Sequence, residues 1–324
     1  MKNSKTMKKI LISTLSLSAA VSAVAIPMIT MTSCKKNTND DGKYDANIMS
    51  WGQAKQYFNV DPDTGLVTSV KSGEASKLLK AAQDEGFEGI GFKNVRLGEK
   101  LFSAGEGVNL FKWTDGVFHL KEVQIIGSEF DPSALTVGEE CFKGCTGLVK
   151  FNSYDLESGL FIGNEAFSGC TRLGSRGSDA NNTIFADNGT EIGDKAFFNC
   201  TSLYSIMLPE LKKVGTSAFE GCTSLNVMGL GRVKEISNFA FKGCTNVTHL
   251  MFTYRPEEFS AVPAPTDGVF AANAFDSFST VTSDVKTVKT YCHRTVAARP
   301  SSDVLNWLKS VSGWALFTTI WKAI

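Results

Sequence analysis

The sequence predicts a repeat solenoid: short turns stacked on one another, carrying a short parallel β-sheet and closed by a small N-terminal cap and a C-terminal capping helix. Three observations predict it. Self-similarity at a short period is the signature of stacked repeats, and the words VGEECFKGCTGL (137–148), IGNEAFSGCTRL (162–173), IGDKAFFNCTSL (192–203), VGTSAFEGCTSL (214–225) and ISNFAFKGCTNV (236–247) share one Phe-x-x-Cys core. Their cysteines, Cys145, Cys170, Cys200, Cys222 and Cys244, are separated by 25, 30, 22 and 22 residues, the longer gaps being insertions. Each word also runs into an apolar-x-x-apolar-x-apolar pattern, clearest at Leu203, Ile206, Leu208; Leu225, Met228, Leu230; and Val247, Leu250, Phe252. Alternation of that kind suits a strand.

From the N-terminus, Lys2, Lys5, Lys8 and Lys9 precede an apolar run from Ile10 to Ile29, the order of charges and apolar residues found in a secretory signal. The run ends at Ser33-Cys34, which resembles a bacterial lipobox, with Met31 where that motif usually has Leu. Residues 1–33 therefore read as a lipoprotein signal peptide and Cys34 as the lipidation site; an uncleaved membrane anchor is the alternative, and either leaves the remainder outside the membrane. Two acyl chains hold a protein stably on a membrane, at about 0.8 kcal/mol per buried methylene. Residues 34–49, polar until Tyr44, read as a flexible tether.

Residues 50–86 lack the repeat rhythm and read as an N-terminal cap, with an independent binding module as the other reading. YFNVDPDTGLVTSV predicts two extended segments around an Asp-Pro-Asp-Thr-Gly turn, and GEASKLLKAAQDEG a helix from Glu74 to Glu85 closed by Gly86. The repeats then span residues 87–290. Rungs are expected at Phe87, Ile90, Phe92 and at Leu120, Val123, Ile125, and degenerate copies at LGEKLFSAG (from Leu97) and FAANAFDSFSTV (from Phe270). Terminal units of a stack face solvent on one side, so degeneracy belongs there. The Gly/Ser/Asn-rich stretch from Gly174 reads as a loop. Residues 291–324 read as the C-terminal cap: Trp307, Trp314 and Trp321 recur at seven-residue spacing, placing them on one side of a helix interrupted at Gly313.

In a stack, each position lies over its counterpart at roughly 5 Å, near the strand spacing. Phe142, Phe167, Phe197, Phe219 and Phe241 then fill the wide side of the coil, the preceding small residue permits close approach, and Cys is a small buried filler. The following Thr or Ser can bond local backbone in a tight turn. This is a packing motif rather than a chemical one.

IGDKAFFNCTSLYSIMLP followed by VGTSAFEGCTSL resembles the BspA-type leucine-rich repeat, LRR_5, of bacterial surface proteins. The resemblance covers about two thirds of the chain. It implies a right-handed leucine-rich-repeat superhelix with a parallel sheet and a role in binding or adhesion at the cell surface.

Several chemistries find no support. Lys plus Arg and Asp plus Glu both number 33, and removal of residues 1–33 would leave an acidic excess, so no nucleic-acid footprint is present. The chain lacks a Ser-nucleophile motif, HExxH and a phosphate loop, and the pair nearest to the close spacing of zinc sites is Cys141 and Cys145, with Cys141 at the Ala position of its repeat. No enzyme, metal or cofactor is expected. The repeat cysteines read as free buried thiols, and Cys292 has no assigned role. With Leu203, Ile206 and Leu208 pointing inward, Ser205, Met207, Val227, Gly229, His249 and Met251 form the expected binding face. The first reading of function is a lipid-anchored surface protein that binds proteins or other macromolecules. The second is an envelope component binding partners of its own cell, and the third a solute-binding or enzymatic lipoprotein with its site in residues 50–130.

Overall fold

The computed structural model describes residues 44–127, 135–154, 159–174, 183–185, 191–208, 210–231, 233, 235–247, 249–252, 274, 289–292 and 320–323. The strands expected from the apolar pattern, Gly89–Lys93, Glu122–Ile126, Ser205–Met207, Val227–Gly231 and His249–Phe252, stand with others in a parallel ladder of two stretches. The first runs Ile48–Met49, Gly89–Lys93, Glu122–Ile126, Lys150–Tyr154. The second runs Thr183–Phe185, Ser205–Met207, Val227–Gly231, His249–Phe252, Lys289–Cys292, Ile320–Ala323. Pleating sends Ile90, Phe92, Val123, Ile125, Ile206 and Met228 into the core, all fully buried.

The other side of the coil is also a sheet, which the sequence reading did not anticipate. The Val or Ile that opens each word ends a strand of two or three residues, and a glycine follows it in every word but the last, where Ser237 stands. These strands stack in parallel from Arg96–Leu97 through Leu135–Val137, Leu160–Ile162, Glu191–Ile192 and Lys213–Val214 to Glu235–Ile236. Neighbouring coils meet closely here: a Cβ on Gly193 would lie 2.7 Å from the Asn164 nitrogen and 2.8 Å from the Gly163 carbonyl carbon. Only glycine fits so near another backbone.

Between the two sheets runs the Ala-Phe-x-x-Cys segment. The rings of Phe142, Phe167, Phe197 and Phe219 stack at 5.1 Å between centroids with planes within 4° of parallel, and Phe102 and Phe241 extend the column at 4.9 and 5.4 Å. Each Phe N–H donates to the carbonyl of the residue preceding the next coil's Phe, as in Phe167 to Ala196 and Phe197 to Ala218, both 2.7 Å. The carbonyls of Phe142, Phe167, Phe197 and Phe219 each accept twice. That of Phe167 takes the Cys170 N–H of its own coil at 3.0 Å and the Cys200 thiol of the next at 3.1 Å. Cys170, Cys222 and Cys244 repeat the thiol contact at 3.0, 3.1 and 3.1 Å. Cysteine is thus small enough for the core and still a weak donor to a buried carbonyl.

The turn before Phe places Glu140, Glu165, Lys195, Ser217 and Phe239 in the left-handed region, with φ between 52° and 56°. That conformation costs an L-residue about 1–2 kcal/mol. It aims the N–H of Glu165, Lys195 and Ser217 at a carbonyl of the next coil, at 2.8–2.9 Å.

At the N-terminal end, Leu66–Val70 pairs in parallel with Arg96–Leu97, and Phe58–Val60 folds back antiparallel as the last strand of that sheet. The helix is Ala75–Glu85, burying Ala75, Leu78 and Ala82, and Gly86 closes it at φ 76°. An unanticipated short helix, Trp51–Ala54, starts with a Ser50/Gln53 capping box.

Two expectations need correction. The tether does not extend to residue 49, because Tyr44, Ile48 and Met49 are buried. The capping helix does not reach Trp321: Ile320–Ala323 is a strand, and Trp321 pairs with Thr290 in the column that continues to Leu250, Met228 and Ile206. Ile and Trp favour strand, and an open sheet edge offers pairing that a helix cannot use. Residues 293–319, including Trp307 and Trp314, and the degenerate copy from Phe270 except Ala274 lie outside the described residues, as do residues 1–43 with Cys34.

Phe219→Ala removes a ring stacked on both sides and should cost about 3–5 kcal/mol. A denaturant titration showing a loss below about 1 kcal/mol would contradict the packing described.

Candidate binding surface

Strand register decides which outward positions share a surface. Ser205 pairs with Val227 and Val227 with His249, while Met207 pairs with Gly229 and Gly229 with Met251. The six expected face residues therefore occupy two adjacent columns. The columns continue to Thr183 and Phe185 on one side and to Lys289 and Tyr291 on the other. Sequence reasoning missed these four because the insertion from Gly174 and the long stretch after Phe252 break the period; the Thr-Ile-Phe alternation was the signal available.

Met207 and Val227 are half-buried, whereas Ser205 and Gly229 are buried. Gly229 is covered by its neighbour: a Cβ there would sit 2.9 Å from the Met207 sulfur. The Ser205 hydroxyl, 5% exposed at the residue level, makes no hydrogen bond. His249 and Met251 hold their register positions, and their side chains lie outside the described residues. The thioether of Met207 over Gly229 gives this face an adaptable apolar spot.

The same face is closed over the first rungs. Gly91 has no side chain, and the Tyr44 ring lies in the space, so that a Cβ on Gly91 would overlap it. Tyr44, Ile48 and Ile126 make a small apolar cluster separate from the main core. Around it the Asp45 N–H donates to Gln124 Oε1 at 3.2 Å, Gln124 Nε2 donates to Glu122 at 2.9 Å and also to the Asp45 carboxylate, and Lys150 Nζ stands 2.7 Å from Glu122 and 3.5 Å from Asp45. Burial works against the Lys150 charge, but Glu122 and Asp45 outweigh it and hold the ammonium above its ordinary pKa. These rungs therefore do not present the outer face as a free surface.

The repeat core offers no reactive group. Cys141, Cys145, Cys170, Cys200, Cys222 and Cys244 are free and buried, and burial pushes every one of these thiols up, away from the reactive thiolate. Phe142, Phe167, Phe197, Phe219 and Phe241 lie in the same core. Among the described residues no three His, Cys, Asp or Glu side chains are grouped to hold a metal ion, and no helix is long and apolar enough to cross a membrane. Half-buried surface ion pairs link neighbouring coils, Lys143 to Glu165 at 2.6 Å and Lys242 to Glu220 at 3.0 Å, and contribute little individually.

A stack of short coils with parallel sheets, a buried Phe/Cys column and an outward strand face defines a leucine-rich-repeat scaffold. The chain belongs to the BspA type leucine rich repeat region family, which it matches in six copies over residues 112–175 and 162–297. A search of curated proteins returned no match. Family membership points to surface-exposed protein–protein interaction in general and to a scaffold that is typically not an enzyme.

Tyr44→Ala should cost about 3 kcal/mol, the usual order for emptying a buried aromatic site, and should expose the chain before Ser50 to limited proteolysis. Unchanged stability and an unchanged cleavage pattern would show that Tyr44 does not hold this segment to the sheet.

Proposed function

We propose that the protein is a lipid-anchored bacterial surface protein, acylated at Cys34, whose solenoid binds partner proteins or other macromolecules through its outer sheet face. The observation that carries this reading is the register that sets Ser205, Val227 and His249 in one column beside Met207, Gly229 and Met251. The backbone there is fixed by pairing on both sides, so side chains can vary without disturbing the fold. A rigid scaffold with variable outward positions is how repeat proteins bind. Anchoring is supported by the Lys-rich start, the apolar run and Ser33-Cys34, and adhesion by family membership. Acylation would leave Tyr44 and the residues after it outside the membrane, about ten residues and at most roughly 35 Å of extended chain from Cys34.

The test uses intact cells supplied with a clickable fatty acid. Label should appear on the wild type and not on Cys34→Ala, and external protease should cut the repeats. The triple variant Met207→Ser, His249→Ser, Met251→Ser should bind immobilised extracellular-matrix proteins about tenfold more weakly or worse, as loss of a few central contacts does. Label independent of Cys34, or protected repeats, would overturn the anchored-surface reading; unchanged binding by the triple variant would remove the outer face as the contact.

A further inference from the structure

The loop before strand Glu122–Ile126 carries two of the three exposed large hydrophobic residues among those described: Trp113 at 45% and Val117 at 58%. They flank a turn closed by the Val117 N–H to the Thr114 carbonyl at 3.1 Å, with Gly116 at φ +69°. Trp113 is nonetheless held in place. Its backbone N–H donates to Thr146 Oγ1 at 3.2 Å, the His119 ring meets the indole edge-on at 5.0 Å, and the Arg172 guanidinium lies 3.9 Å from the ring centroid. His119 is itself buried, with Nδ1 3.2 Å from the Val117 carbonyl, so both flanks of the turn are tied to one support.

Exposing an indole opposes the hydrophobic effect, and fixing it from two neighbouring coils prepares it for contact. Arg172 adds a second observation. No carboxylate among the described residues pairs with it, and its only described contact is the indole. A guanidinium stacked on an aromatic ring keeps its N–H fork free for a carboxylate. Trp and Arg are also the residue types that dominate binding hot spots. Lys112, exposed beside Trp113, balances Asp115 at the turn.

We propose that Trp113, Val117 and Arg172 form a docking site for an acidic segment of a partner protein, with a carboxylate on Arg172 and a neighbouring apolar side chain against Trp113 and Val117. Val117 decides between a peptide and an acidic glycan, because a branched aliphatic side chain offers sugar hydroxyls no hydrogen bond. The site lies where the chain enters the sheet strands and uses none of the outer-face residues.

The test measures binding of the full-length chain to a soluble glutamate–tyrosine copolymer, with polyglutamate and polygalacturonate alongside. The copolymer should bind more tightly than either. Trp113→Ala and Arg172→Gln should each weaken it about tenfold or more, with unchanged thermal unfolding, while Met207→Ser should bind as wild type, which separates this site from the outer face. Arg172→Gln leaves the indole in place and serves if Trp113→Ala unfolds. Absence of copolymer binding, or wild-type binding by both variants, would overturn the proposal. Tighter binding of polygalacturonate, lost in the same variants, would overturn it in favour of an acidic glycan.

Discussion

The carbonyl oxygen of each repeat phenylalanine sits in the core with two lone pairs and no water to satisfy them. Leaving such a group unpaired costs about 1–3 kcal/mol, and the array meets the demand with one residue used twice. The N–H of Cys170 bonds the Phe167 carbonyl within its coil, and the thiol of Cys200 bonds it from the next. A thiol that bonds the previous coil must lie one strand spacing away, which is also the distance at which the phenyl rings stack at 5.1 Å. Coil length, ring stacking and hydrogen bonding thus agree on one repeat distance, and such agreement across levels is what makes a sequence specify one fold.

That constraint leaves the outward positions free. Ser205, Val227 and His249 occupy equivalent places on paired strands, yet their identities have nothing in common, because neither the ring column nor the backbone ladder depends on them. The first rungs are a different case. There Gly91 and the Gln124 network receive Tyr44 and Asp45, so part of the face is spent on holding this segment. The loop with Trp113 is a third use of the scaffold, in which Thr146 holds the Trp113 backbone and Arg172 of the following coil lies against its indole.

The ring column was legible in the sequence because Phe and Cys recur with little choice at their positions, and the register of the outer face followed from the apolar alternation after each Cys. The second parallel sheet was not, since strands as short as Glu191–Ile192 cannot show alternation. Its signal was the glycine after Val or Ile, whose meaning is a close approach between coils. The thiol donors were read as fillers because their acceptor belongs to another coil, and no local pattern announces it. Tyr44 reads as the end of a polar linker until Gly91 is seen to lack the side chain that would exclude its ring. At the C-terminus, tryptophan spacing suggested a helix, whereas strand propensity and an available sheet edge prevailed at Ile320–Ala323.

The central claim, that each coil is locked to the next through the phenylalanine segment, is tested most directly by hydrogen exchange at the amides of Phe142, Phe167, Phe197 and Phe219. Each donates to the following coil at 2.7 Å. Coils coupled in this way should open together, so the four amides should exchange slowly and at one common rate. Rates differing by orders of magnitude between adjacent coils would show that the coils open independently and would contradict the account.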